Sequence, residues 1–166
     1  PFAYQVLDVP DLAAALPVLR QLDCFNVTLP HKSAILPFLD EVEEKARRFG
    51  SVNTVQVKDG KLTGYTTDGP GCRKALENHG VPLSGEVLLL GNGGAARAIA
   101  FEAAQQRAGS QLTVACREGS LPKAQALVED LARYAADLGD NHFAARVVTY
   151  AQLEQEQRRY QLALNA

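Results

Sequence analysis

Apolar residues fall along this chain in two rhythms. In the first half, Phe25–Leu29, Val52–Lys58 and Leu62–Tyr65 alternate apolar with polar side chains, as strands with one buried face do. The last two stretches flank Asp59-Gly60, a hairpin turn signal. Phe2–Asp8 has the same alternation and reads as a first strand. Helical spacing covers Asp11–Leu19, with Asp11 as cap and Pro17 as a kink or a break between two short helices. It returns over Ser33–Arg48, interrupted near Pro37 and restarting around Asp40, with Gly50 as terminator. A short helix over Cys72–His79 is closed by Gly80.

Beyond Gly80-Val81-Pro82-Leu83-Ser84-Gly85 the pattern changes. Glu86-Val87-Leu88-Leu89-Leu90 is too short for a helix and too continuous for a half-exposed strand, so it reads as a strand buried on both faces. The order from there is strand 86–90, helix 94–107, strand 111–116, helix 121–138, strand 146–149, short helix 151–158 and strand 160–164. Such alternation implies a parallel sheet with right-handed crossovers. The expected fold class is therefore α/β. An α/β unit over residues 1–80 precedes a Rossmann-like, doubly wound unit over 81–166, of which only the first part is present.

Composition narrows the function classes. The chain has 166 residues, 46% hydrophobic and 22% charged, enough to bury a core. A formal net charge of -2 gives no basic footprint for nucleic acid, and no apolar run reaches membrane-spanning length. Cys24, Cys72 and Cys116, like His31, His79 and His142, are scattered without metal-ligand spacing, so no metal is assigned. A reducing cytoplasm is the expected setting. Met is absent throughout, position 1 included, and the expectation is an internal stretch of a longer protein.

The buried strand ends in Gly91-Asn92-Gly93-Gly94-Ala95-Ala96, and an alanine-rich helix follows at once. Strand, glycine turn and helix in this order form a dinucleotide-binding element. Gly91 permits the tight turn, Gly93 clears the approach to a pyrophosphate, and Ala96 lets the helix pack on the strand. The helix start offers free N–H groups and a positive dipole end. A plain glycine turn between core elements is the alternative. At the tip of the next strand stands Cys116-Arg117-Glu118. Arg117 suits the 2′-phosphate of NADP, whereas Glu118 would repel it and suit the 2′-hydroxyl of NAD. NADP is favoured over NAD, with a solvated charge as the other reading of Arg117.

In the first half, Asn26-Val27-Thr28-Leu29-Pro30-His31-Lys32 places Asn26 and Thr28 on one side of a strand and Lys32 near a helix start. A helix start disfavours a positive charge, so a lysine there needs a carboxylate partner or stays solvated. Asp68 lies in the glycine-rich stretch Thr66–Gly71, as a dyad partner for Lys32 or as a turn or capping residue. A lysine beside an aspartate can exchange a proton with a substrate oxygen. Asn53 and Thr54 offer further polar contacts on another strand.

These residues resemble the shikimate dehydrogenase family. Its marks stand in order as Asn26-Val27-Thr28-Leu29-Pro30-His31-Lys32, Leu39-Asp40-Glu41, Gly50-Ser51-Val52-Asn53-Thr54, Thr67-Asp68-Gly69-Pro70-Gly71 and Gly91-Asn92-Gly93-Gly94-Ala95-Ala96-Arg97. The resemblance runs from about Phe25 to Arg117. It implies a two-domain, NADP-dependent enzyme that reduces 3-dehydroshikimate to shikimate in aromatic amino-acid synthesis, with the first unit as the substrate domain. Lys32 and Asp68 match its catalytic pair, and Asn53 and Thr28 its substrate-binding residues, with Asn26 beside them. Gly91, Asn92, Gly93, Gly94 and Ala95 match its phosphate loop, Arg117 its NADP-selecting arginine, and Glu44 an acidic position associated with the cofactor. Thr66-Thr67-Asp68 departs from the family's Asn-Thr-Asp, and Cys116-Arg117-Glu118 from its Asn-Arg-Thr. A quinate or related cyclohexene-acid dehydrogenase shares this skeleton, and a nucleotide-binding module without turnover is the competing class. A monomer or homodimer in the cytoplasm, without nucleic-acid or membrane partners, completes the expectation.

Overall fold

A computed structural model of the chain describes residues 3–106 and 109–166. Two sheets organise it. The first has strands β1 (Cys24–Asn26), β2 (Glu41–Val42), β3 (Thr54–Lys58) and β4 (Lys61–Tyr65) in the order β1-β3-β4-β2. β3 and β4 form the hairpin over Asp59-Gly60, both at positive φ, as a two-residue turn that matches the strand twist requires. β2 pairs parallel with β4, Glu41 opposite Thr63. One face buries Val55 and Leu62 under α1 (Leu12–Leu19) and α2 (Glu44–Phe49), with Leu12, Val27, Ile35, Ala46 and Val52 completing that core.

Local chemistry sets the element ends. The Asp11 carboxylate accepts from Ala13 N at 2.9 Å and Ala14 N at 3.3 Å, capping α1. Pro17 sits inside this single helix. A proline at that depth removes one intrahelical bond, which a helix packed through Leu12 and Leu19 tolerates. Gly50, at φ +62°, stops α2 in the left-handed region.

Four stretches differ from the pattern-based expectation. Residues 33–39, expected to be helical, form turns and a single 3-10 turn at Leu36–Phe38, because Pro37 cannot donate the backbone bond that would continue an α-helix. Residues 3–8 carry no regular structure; Tyr4 and Val6 stand exposed, and alternation without a neighbouring strand makes no ladder. Phe2 lies outside the described residues. Asp40–Val42 does not restart a helix. Asp40 N donates to Leu62 O and the Asp40 carboxylate accepts from Leu62 N, which lays this segment along β4 as β2. Helix α3 spans Asp68–Asn78 and so begins four residues before Cys72, taking Gly69-Pro70-Gly71 into its first turn. Pro70 costs nothing there, because the first N–H groups of a helix have no intrahelical partner.

The second sheet is fully parallel. Strands β5 (Glu86–Leu90), β6 (Gln111–Cys116), β7 (Ala144–Thr149) and β8 (Leu162–Asn165) lie in the order β7-β6-β5-β8. Helices α4 (Gly94–Gln105) and α5 (Leu121–Asp137) cover the face bearing Val87, Leu89, Leu112 and Val114. On the other face, Leu88, Ala115 and Val148 pack with Leu153 of α6 (Tyr150–Gln155). The sheet is therefore buried on both sides, the arrangement that the run Val87–Leu90 requires. Winding reverses between β5 and β8, making a Rossmann-like switch point at the carboxyl end of β5. The expected helix 94–107 closes at Gln105, with Arg107 outside the described residues. Among the described residues no helix is long and apolar enough to cross a membrane.

Candidate active site

Lys32 is placed by the backbone around it. Val52 N donates to Lys32 O at 2.8 Å, Val27 N donates to Asn53 O at 2.9 Å, and Ile35 N donates to His31 O at 2.9 Å, so the 27–32 loop is docked along the start of β3. The His31 ring Nε2 lies 2.7 Å from Val9 O; a carbonyl only accepts, so Nε2 carries the proton. This fixes the loop's other side.

From that loop the Lys32 ammonium reaches Asp68 Oδ2 at 2.7 Å. Asp68 is the first residue of α3, where a negative charge opposes the helix dipole favourably. Its second oxygen accepts from Asn53 Nδ2 at 2.7 Å. Asn53 is buried and fully committed: Nδ2 also reaches Thr67 Oγ1 at 2.8 Å, and Oδ1 accepts from Thr67 N at 2.9 Å. A neutral amide thus fixes the carboxylate without competing for its charge. The Lys32 and Asp68 side chains keep 14% and 22% of their surface, so the pair faces solvent on one side.

The glycine loop stands against this pair. Gly91 turns at φ +109°, and a Cβ there would strike the backbone oxygen of Ala166. A Cβ on Gly94 would lie 2.8 Å from Lys32 Cβ and 3.0 Å from Ser51 Oγ, so only glycine lets α4 begin directly beside the lysine. At Gly93 the same construction meets nothing closer than Leu29 Cδ2 at 4.0 Å, leaving the space beside the turn open. Gly93 caps α4 without a side-chain hydrogen bond, so the first N–H groups of that helix remain available to an anion. Asn92 Nδ2 donates to Ser120 O at 3.1 Å, tying the loop to the segment that follows β6. These features fit a dinucleotide pyrophosphate.

Arg117 stands at the carboxyl end of β6, exposed, and its side chain makes no ion pair among the described residues. Asn26 ends β1, with Nδ2 3.4 Å from Asn53 O and 3.5 Å from Thr54 Oγ1. Thr28 is exposed just beyond β1, and its carbonyl accepts from His31 N. Among the described residues no hydrogen bond or ion pair brings Glu44 to this cluster: its side chain is 78% exposed and pairs with Arg48 at 2.8 Å on its own helix. A concavity of about 400 Å³ at Glu86, Arg146 and Glu156–Arg159 lies at the amino end of the parallel sheet. Four of its charges pair with one another, Arg146 with Glu156 and Arg158 with Glu86, while Arg159 also lines it.

Pattern reading missed the seam that joins the two sheets. Phe49 from α2 stacks on Phe101 of α4 at 5.0 Å and meets Tyr134 of α5 edge-on at 6.2 Å. Arg97 donates to Phe49 O and to Asp130 Oδ2 at 2.7 Å, with its guanidinium over the Phe101 ring. Burial alone would push the Asp130 carboxyl up, but hydrogen bonds from Arg97 and Arg133 outweigh it and hold it below the usual range. Arg20 holds Asp40 down likewise, as Arg146 does Glu156. A depressed folded pKa adds stability above the unfolded value, and that stability is lost as pH falls through the folded one. The melting temperature is expected to hold from pH 7 to about 5 and to drop below about pH 4. Circular-dichroism melts across that range check it, and Asp130→Asn should flatten part of the drop. A flat wild-type profile down to pH 3 contradicts it.

Residues 1–55 match the family model described as the shikimate dehydrogenase substrate binding domain. The chain is 44% identical over 112 residues to the shikimate dehydrogenase (NADP(+)) of Methanococcus maripaludis, covering 67% of this chain and 38% of that protein. Among solved structures, it is similar to the Thermus thermophilus shikimate 5-dehydrogenase in complex with NADP(H) and shikimate, at TM-score 0.73 and 35% identity, covering 96% of this chain and 54% of that one. The quinate dehydrogenase of Corynebacterium glutamicum in complex with NAD is similar at TM-score 0.75 and 30% identity, covering 94% and 54%. The chain thus spans about half the length of these structures, and less of the Methanococcus relative.

Proposed function

Taking the chain's kinship with the shikimate dehydrogenases as premise, we propose that it forms the two facing walls of an NADP-dependent enzyme that reduces 3-dehydroshikimate to shikimate in aromatic amino-acid synthesis. Residues 1–80 are the substrate and catalytic unit, and residues 81–166 the cofactor unit. The observation that carries this reading is the Lys32–Asp68 pair, fixed by Asn53 and set against the first turn of α4. When bound, the nicotinamide supplies a hydride to the ketone carbon. Charge then develops on the ketone oxygen, and Lys32 stabilises it and delivers a proton there. Asp68 holds the ammonium in place and accepts a hydrogen bond from a neighbouring ring hydroxyl. Asn53, Asn26 and Thr28 complete the polar wall on the substrate side. Gly91–Ala95 with the start of α4 receives the pyrophosphate, Arg117 the 2′-phosphate, and Glu44 is assigned to the edge of the cofactor side.

A ring acid such as quinate is a second substrate reading. It is favoured by the likeness to the Corynebacterium enzyme. A cytoplasmic monomer or homodimer acting on small molecules, without nucleic-acid or membrane partners, remains part of this proposal; the formal net charge of -2 offers no basic footprint for nucleic acid.

Cofactor selection is tested at Arg117. Losing a charge-assisted contact of about 1.5–3 kcal/mol should raise the KM for NADPH roughly ten- to a hundredfold in Arg117→Ala, with little change for NADH. Steady-state kinetics with both cofactors decide it. Equal losses would remove Arg117 from the 2′-phosphate.

A further inference from the structure

The most buried acid in the chain lies on the helix that begins beside Lys32. Glu102, on α4, is 1% exposed. Two cations meet it, both from the first half of the chain. Arg73 Nε of α3 donates to Glu102 Oε1 at 2.8 Å, and Lys45 Nζ of α2 lies 2.7 Å from Oε2. The Lys45 contact is ionic rather than a directed hydrogen bond, because Oε2 has no hydrogen-bond partner among the described residues. Arg73 also pairs with Glu77 one turn further along α3, which aims the guanidinium at the seam.

The placement of these charges links the two walls of the site. Arg73 shares α3 with Asp68, five residues away, and Glu102 shares α4 with Gly94, eight residues away. The two helices touch closely between these points. A Cβ on Gly69 would come within 2.5 Å of Ala98 O and 3.1 Å of Glu102 Cβ. The buried Glu102 carboxylate, held by Arg73 beside the close Gly69–Ala98 contact, therefore helps fix how far along α4 the start of α3 sits. Asp68 rides on that start, and Lys32 follows Asp68. Lys45 adds a hold on α2, whose last residue Phe49 packs against both Phe101 and Tyr134, rings that also meet each other edge-on at 5.2 Å.

We infer that Glu102 is a positioning residue, which through Arg73 and Lys45 keeps the Lys32–Asp68 pair in register with the phosphate-binding turn of α4. A buried carboxylate with two cations brings little net stability, since desolvation offsets most of the attraction. Its geometric demand is strict, because a displaced partner leaves a buried charge unpaired. This inference rests on the ketone-reduction reading for its kinetic consequence, but not for its structural one.

Glu102→Gln keeps the shape and removes the charge, and Arg73→Gln removes the partner. With NADPH and 3-dehydroshikimate, each single variant of the intact protein should lose roughly tenfold in kcat, with NADPH affinity, read by nicotinamide fluorescence, within about twofold of wild type. The double variant should be no worse than either single one, because the pair acts as a unit. The isotope effect on kcat with deuterated NADPH should rise, as misplaced partners make hydride transfer the slow step. An unchanged kcat, or NADPH affinity falling in step with kcat, overturns the positioning role. Hydrogen exchange provides a readout without turnover. Protection of the Val52 and Gly71 amides, which donate to Lys32 O and Thr67 O, should fall in both variants while the β6 amides hold. If wild type shows no turnover, the ketone-reduction reading fails and exchange alone decides. Unchanged protection at Val52 and Gly71 then overturns the register claim.

Discussion

Lys32→Ala should lower kcat by about a hundredfold or more, the scale of a positioned acid or base. Hydride arriving at a ketone carbon leaves charge on the oxygen, and the proton donor must already be within hydrogen-bond reach. Lys32 meets this need because its ammonium is held rather than free. Asp68 Oδ2 grips it at 2.7 Å, and Asn53 grips Asp68 at the same distance from the other side. NADPH affinity should be nearly unchanged, since the cofactor's phosphates face the start of α4. Asp68→Asn should lower kcat too: the amide keeps the shape, but two amides and an ammonium no longer balance. In Lys32→Ala/Asp68→Asn the losses should overlap rather than add. Stopped-flow and steady-state measurement of NADPH consumption read all three. Near-normal turnover in Lys32→Ala contradicts the mechanism.

The largest effect on stability is expected at Phe49. It is fully buried, yet it leaves α2 to join the core that packs Val87, Leu89 and Leu112 against α4 and α5. Replacing such a ring with alanine costs about 3–5 kcal/mol, as transfer and cavity terms combine. Arg97 loses little directly, since it bonds the Phe49 carbonyl, but Phe101 and Tyr134 each lose one ring contact and keep only the one between them. Chemical denaturation of Phe49→Ala should show that loss, and two separated transitions should replace one as the halves uncouple. A change below about 1 kcal/mol would mean that the seam relaxes around the missing ring.

How much of this was legible in the linear chain depended on the range of the interactions. The parallel strands 86–90 and 111–116 read correctly to the residue because burial on both faces writes apolar runs, unbroken over Val87–Leu90 and interrupted by Thr113 in Leu112–Cys116. The 54–65 hairpin read well because turn and alternation are neighbours in sequence. β2 was missed because only its distant partner β4 makes Glu41-Val42 a strand. The early start of α3 was hidden by Gly69-Pro70-Gly71, residues that usually signal a turn but fit a helix's first turn.

For the site, the spaced motifs pointed to Lys32, Asp68, Asn53 and the glycine loop, and folding sets these side by side. Arg117 and Glu44 are different: the first is exposed and makes no ion pair among the described residues, the second is paired on its own helix. The seam was silent because Phe49, Arg97 and Glu102 acquire meaning only from what they meet. One signal did exist. Glu102 is the lone acid between Arg97 and Gln105 in a helix that is otherwise alanine, isoleucine and phenylalanine there, and a charge on so apolar a stretch needs a partner.

The most direct test of the central claim follows the hydride itself. The intact protein is incubated with 3-dehydroshikimate and NADPH deuterated at the transferring carbon, and the ring acid is examined by NMR and mass spectrometry. The account predicts one deuterium on the new carbinol carbon for each NADPH consumed, with Lys32→Ala reduced to about a hundredth of that rate or less. Label appearing elsewhere, NADPH consumption without labelled product, or no consumption by the wild-type protein would contradict it.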